Sequence, residues 1–280
     1  MKALRLVVCV FSILFFLGVV SASAQDPRPI FDVAMEQLKN NEFEGAIDSF
    51  RQVLEIIPND PAANYNLGLC YYTLKRYERA VPALRNAVRS KPDFADAYLY
   101  LANSLDYLAH YDDAIAAYTK AVEYDPKNAQ AYYDMAVAHE RQRNFAAAAA
   151  AFQKSADLDP ANAAAFRGVA RAYYNGGMFS QAIPAYKRAA EADPKNITNY
   201  LYLAYSYAKT KQFGSAIISY NTVLGLDPKR AYAINGIGEV YIEQSNFVMA
   251  RKQYAALLPL DKALAAKLLA KIDAVATKRP

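Results

Sequence analysis

Pro58, Pro92, Pro126, Pro160, Pro194 and Pro228 recur every 34 residues, and no other property of the chain restricts its fold as much. Laid out in rows of 34, the sequence aligns an aromatic column (Phe43, Tyr77, Tyr111, Phe145, Phe179, Phe213, Phe247) with a column of alanine alone (Ala46, Ala80, Ala114, Ala148, Ala182, Ala216, Ala250). A fixed period of this length means that each row is one supersecondary unit, too small to bury its apolar face alone and completed by its neighbours. Within a row, apolar residues return at steps of three and four, as at Tyr98, Leu101 and Leu105 and again at Ala114, Tyr118 and Ala121, so each row holds two helices. The junctions carry Asp-Pro-Lys-Asn at 125–128 and 193–196 and Asp-Pro-Ala-Asn at 159–162. There proline halts the outgoing helix, and Asp60, Asn128, Asn162 and Asn196 stand where a side chain caps the incoming one.

Two further columns describe the packing. Ala34, Gly68, Ala102, Ala136, Ala170, Ala204 and Gly238 leave room for close helix approach, and Val33, Leu67, Leu101, Met135, Val169, Leu203 and Ile237 beside them are expected to fill the remaining space. Ala146 to Ala151 form a run of six alanines, read either as strong helix formers on an outer face or as a smooth patch for self-association.

Leu67-Gly68 followed by Tyr71, Ala80, Leu84, Ala87 and Pro92 in one row resembles the tetratricopeptide repeat (TPR). The resemblance extends over seven rows, at 27–60, 61–94, 95–128, 129–162, 163–196, 197–230 and 231–264, with a first row that has Gln37 in place of the Tyr71 column. It implies an all-α fold, a right-handed α-solenoid of about seven repeats over 25–264. A C-terminal capping helix and tail are expected at 265–280, where Leu264, Leu268, Ile272 and Val275 share one side. It also implies that the first helix of each pair lines a concave groove for a peptide or partner protein. By register the lining residues would include Tyr65, Leu69, Tyr72, Asn103, Tyr107, Tyr133, Arg141, Arg167, Arg171, Tyr174 and Tyr205, with Asn235 and Glu239 further on. Tyrosine supplies large amphipathic contact area with few rotors to freeze, and Arg141, Arg167 and Arg171 are expected to take an acidic segment or chain terminus bidentately.

Residues 1–24 read differently. Lys2 and Arg5 precede an apolar run from Leu6 to Val20, and Ala22-Ser23-Ala24 offers small residues for cleavage, the pattern of a secretory signal peptide that leaves Gln25 as the mature start. The expected location is therefore the periplasm or the extracellular space, with no integral membrane span in the mature chain. Loss of Lys2 and Arg5 lowers the formal charge from +5 to +3, with basic and acidic residues interspersed, which is no nucleic-acid footprint. Cys70 alone would then remain of two cysteines, so no intramolecular disulfide forms.

Catalytic parts are few. His139 falls in the Tyr71, Tyr173, Tyr207 and Tyr241 column, where it packs, and His110 sits at an inter-helix turn. No zinc spacing or phosphate loop is present, so no catalytic, metal or cofactor residue is expected. The function expected is a non-enzymatic scaffold or adaptor in cell-envelope assembly or maintenance. A glycan- or peptidoglycan-binding module and an accessory regulator of an envelope enzyme are the alternatives.

Overall fold

The computed structural model describes residues 26–277, so the export segment expected at 1–24 lies outside the described residues. Fifteen α-helices form among them, in two compact units that meet in sequence at Pro92 and Asp93. The first unit holds α1 (Arg28–Lys39), α2 (Phe43–Ile56), α3 (Pro61–Thr73) and α4 (Tyr77–Ser90). The second holds α5 (Ala95–Tyr107), α6 (Tyr111–Tyr124), α7 (Ala129–Arg141), α8 (Phe145–Leu158), α9 (Ala163–Asn175), α10 (Phe179–Ala192), α11 (Ile197–Lys209), α12 (Phe213–Leu226), α13 (Ala231–Glu243), α14 (Phe247–Leu257) and α15 (Lys262–Ala276).

Within each unit every helix packs on the next one in the chain. In the second, the first helices of successive rows also touch (α5 with α7, α9 with α11, α11 with α13), so the hairpins stack as a TPR solenoid. The alanine column is the reason the hairpins close. Ala46, Ala80, Ala114, Ala148, Ala182, Ala216 and Ala250 are all at 0% exposure. Glycines bring the partner helix closer still, because a Cβ at Gly68 would meet Leu84 Cγ at 2.5 Å and one at Gly238 would meet Leu268 Cδ2 at 2.7 Å.

Helix ends follow from local chemistry. Asp60, Asn128, Asn162 and Asn196 accept hydrogen bonds from backbone N–H groups in the first turns of α3, α7, α9 and α11. Asn144, Asn246 and Asp261 cap α8, α14 and α15 in the same way. Each hairpin turn contains one residue in the left-handed region, again spaced by the repeat: Asn41, Lys75, Ala109, Arg143, Gly177, Lys211 and Ser245. The bonds that flank it, such as Glu42 N–H to the Gln37 carbonyl at 2.8 Å, close the outgoing helix with a Schellman motif. Only Gly177 meets the left-handed requirement without a Cβ penalty.

Two expectations need correction. Val33 does not fill an inter-helix space; it is 50% exposed, because no row precedes α1 among the described residues to cover it. Nor is the alanine run an outer face, for Ala148, Ala149 and Ala151 are core residues and only Ala146 and Ala150 are exposed. At the far end α15 packs on both α13 and α14, burying Leu257, Ala265, Leu268 and Ile272 together.

Ala148→Leu is expected to overpack the α7–α8 hairpin and lower stability by about 1–3 kcal/mol, read from the urea midpoint. Ala109→Gly, at φ 62°, should act in the opposite sense and raise stability by up to about 1 kcal/mol in the same measurement.

Candidate functional site

The first helices of the rows carry every residue predicted to line a groove. On α3, in the first unit, Tyr65, Leu69 and Tyr72 are half-buried, and Tyr72 packs against Tyr77 with ring centroids 5.7 Å apart. The others belong to the second unit. Asn103 on α5 accepts a hydrogen bond from the Tyr118 hydroxyl at 2.5 Å, so it is tied to its own hairpin. Tyr107, at the end of α5, is 58% exposed. Tyr133 on α7 sits edge-on to the buried Phe152 ring, 5.1 Å between centroids.

The arginines do not stand ready for a ligand as expected. Arg141 forms an ion pair with Asp106 one row earlier, and Arg171 makes a two-point contact with Glu140 at 3.0 and 2.5 Å while its guanidinium lies 5.9 Å from the Phe152 ring centre. Arg171 has committed its Nε/Nη2 edge to one carboxylate and Arg141 its Nη1 to another, so each meets a ligand with part of its fork already spent. Of the three, Arg167 alone has no partner among the described residues; it is half-buried on α9.

The strongest concentration of predicted residues is aromatic. Tyr174 on α9 is the hub, with edge-on contacts to Phe179 (5.6 Å), Tyr186 (6.4 Å), Tyr202 (4.7 Å) and Tyr205 (5.7 Å), and Tyr202 stacks on Tyr186 at 5.9 Å. Tyr174, Tyr202 and Tyr205 form one wall of a cavity of about 300 Å³, whose other walls are Leu201, Tyr220, Arg230, Tyr232, Asn235, Gly236 and Glu239. A second cavity of about 210 Å³ adjoins it through Tyr205, Tyr220, Gly236 and Glu239 and continues to Lys209, Lys211 and Glu243. Gly236 is essential to this shape, since a Cβ there would stand 2.3 Å from Cζ of Tyr220.

None of the hydroxyls of Tyr174, Tyr202, Tyr205, Tyr220 and Tyr232 has a hydrogen-bond partner among the described residues. Burial raises the Tyr174 hydroxyl to about 12 and pushes that of Tyr220 up as well, so both stay protonated donors at any physiological pH. Charge around the cavities is unevenly satisfied: Glu239 is engaged by Lys271, Lys209 lies 5.1 Å over the Tyr205 ring, and Arg230 has no partner.

A family model for the tetratricopeptide repeat matches residues 31–93, 76–106, 99–163, 133–197 and 167–231. The chain belongs to the TPR family. Its fold is similar to that of the C-terminal part of a TPR repeat-containing protein from Cytophaga hutchinsonii, with a TM-score of 0.67 and 21% identity over 85% of this chain and 99% of that one. It is similar also to YrrB, a TPR protein with an unusual peptide-binding site, at TM-score 0.56 and 22% identity over 66% and 96%. MamA gives TM-score 0.58 and 23% identity over 61% and 94%. At these identities the likeness is one of fold. No curated protein sequence matches the chain.

For a TPR chain the remaining chemistry is sparse. Among the described residues no three His, Cys, Asp or Glu side chains converge as a metal would need. Cys70 is buried, and burial pushes its thiol up to about 11, which keeps it an unreactive core residue. His139 packs half-buried with Nδ1 unpartnered, and burial lowers its pKa and holds it neutral. No described helix is long and apolar enough to cross a membrane.

Sequence reasoning missed Tyr202, Tyr232 and Arg230 as site residues. The signal was present for the tyrosines, because Tyr202 and Tyr232 precede Tyr205 and Asn235 by three residues and so lie one turn away on the same face. It also missed that Arg141 pairs with Asp106 and that Asp134 lies within their electrostatic reach. Asp106 is 9% exposed with Oδ1 unpartnered, and burial raises its pKa despite the adjacent guanidinium. Burial likewise carries Asp134 up to about 6; the Gln130 hydrogen bond at 2.8 Å opposes this and the Asp106 charge adds to it.

A carboxyl whose pKa is higher folded than unfolded binds more protons in the native state, so its contribution to stability falls as pH rises from about 4 to about 6. Asp134→Asn removes that loss. The variant should be more stable than the parent by about 1–3 kcal/mol at pH 7, with the difference vanishing below pH 4, as read from urea unfolding across pH.

Proposed function

We propose that this chain is a protein–protein interaction scaffold of the cell envelope, exported by its first 24 residues and without chemistry of its own. The TPR fold is typically a non-enzymatic interaction scaffold, and the observation that carries the reading here is the tyrosine wall on α9, α11, α12 and α13 with its five unpartnered hydroxyls. Side chains committed only to packing end in satisfied or apolar groups. Aromatic surface that retains free donors is suited to a second molecule. Of the residues expected from register, Tyr174 and Tyr205 take part in this surface, whereas Arg141 and Arg171 pair with carboxylates of the preceding rows.

Export is supported by the charged, apolar and small-residue order of residues 1–24. A peptide or partner protein is the class of ligand in view, and YrrB offers a precedent of a TPR protein with a peptide-binding site.

The test is affinity capture from an envelope extract with immobilised residues 25–280, in parallel with the Tyr202→Ala/Tyr232→Ala variant. A partner whose recovery drops by about ten-fold with the variant is the expected result. Equal recovery on both would remove the tyrosine wall from the function. The mature protein should begin at Gln25 and be found outside the cytoplasm, which N-terminal sequencing of the fractionated protein checks.

A further inference from the structure

The two adjoining cavities on α11 and α13 differ from an ordinary apolar groove in three respects, and together these select a ligand chemistry. We infer that they receive an extended, proline-containing segment of a partner protein with acidic residues beside the prolines. The inference rests on the scaffold reading above and names the partner's chemistry.

Size comes first. Cavities of about 300 and 210 Å³ fall at or below the lower end of small-molecule sites, and suit successive anchor side chains of one chain better than a whole cofactor. Their walls come next. Tyr202 and Tyr232 are 37% and 63% exposed, so flat ring surface faces outward, and pyrrolidine rings pack on such aromatic surface. A polyproline II segment has no internal hydrogen bonds, and all of its carbonyls need donors from elsewhere. Tyrosine hydroxyls without intramolecular partners provide them. A segment already stiff in this form also loses little conformational freedom on binding.

Charge supplies the third restriction. Glu239 is neutralised by Lys271, whereas Arg230 and Lys211 have no partner among the described residues and Lys209 is held only over a ring. Glu243 is the one uncompensated carboxylate in the same walls. The balance is cationic, and a segment bearing glutamate or aspartate complements it. A neutral glycan would use the rings and hydroxyls and leave these cations unanswered.

The experiment is fluorescence anisotropy on residues 25–280 with fluorescein-labelled (Glu-Pro-Pro)₃, compared with (Glu-Ala-Ala)₃ and (Lys-Pro-Pro)₃ and with chitopentaose as competitor. Saturable binding of the first peptide is expected, at least about ten-fold tighter than either comparison peptide and undisturbed by the sugar. Tyr232→Ala should abolish it, and Arg230→Glu, which brings the charges around the cavities to balance, should erase the preference for the Glu over the Lys peptide; both sites are exposed, so the fold is retained. The inference is overturned if (Glu-Pro-Pro)₃ binds no better than (Glu-Ala-Ala)₃, if chitopentaose displaces it, or if neither variant alters it. Such a failure stays separate from failure of the scaffold reading, because envelope capture that still depends on Tyr202 and Tyr232 would preserve the scaffold and discard only the proline chemistry.

Discussion

Contact between the two helices of each hairpin, made across an alanine with no exposed surface, is the interaction on which the rest depends. Where Ala46, Ala80, Ala114, Ala148, Ala182, Ala216 and Ala250 sit, a larger residue would hold the helices apart. Close approach then determines what the neighbouring aromatic can do. Phe152 and Tyr186 fill the interior at 0% and 2% exposure, and Gly168 and Gly236 yield the space that Phe152 and Tyr220 need. Burial of those rings in turn orients the first helices, whose other faces present the tyrosine wall. The candidate site is thus a by-product of hairpin geometry, shaped by residues that never reach a ligand.

The repeat logic also explains why function concentrates where the rows differ. Position by position the core is uniform, whereas the place held by Tyr202 on α11 is occupied by Asp134 on α7, Gly168 on α9 and Gly236 on α13. The same backbone site therefore stacks a ring, buries a carboxyl or opens a gap for a partner helix. Variation of this kind costs little in a solenoid because each row interacts only with its neighbours.

Much of the fold was legible from the chain. A period of 34 residues and capping residues at fixed places are local or strictly recurrent signals, and Asp60, Asn128, Asn162 and Asn196 act where the pattern placed them. The candidate site was only partly legible. Tyr174 and Tyr205 were found by register, but their association with Tyr202, Tyr232 and Arg230 depends on rotamers and on how α9, α11 and α13 stack, which one row cannot reveal. The ion pairs of Arg141 and Arg171 were hidden for the same reason, since their carboxylate partners lie a full row earlier on another helix. Exposure of Val33 was an end effect, invisible to a column that treats all rows alike.

The ion pairs that join consecutive rows have a consequence for how a partner finds this surface. Arg141, Arg171 and Lys271 each cancel a carboxylate of the preceding row, so at a distance these pairs act as small dipoles whose potential decays quickly. Beside the cavities an approaching molecule senses the remainder, Arg230, Lys209 and Lys211 against Glu243 alone, with Arg167 further along on α9. Encounter is then steered by a handful of cations over about one Debye length, roughly 8–10 Å in physiological salt. Ionic strength would accordingly be felt in the association rate, while residence on the surface is left to the tyrosines.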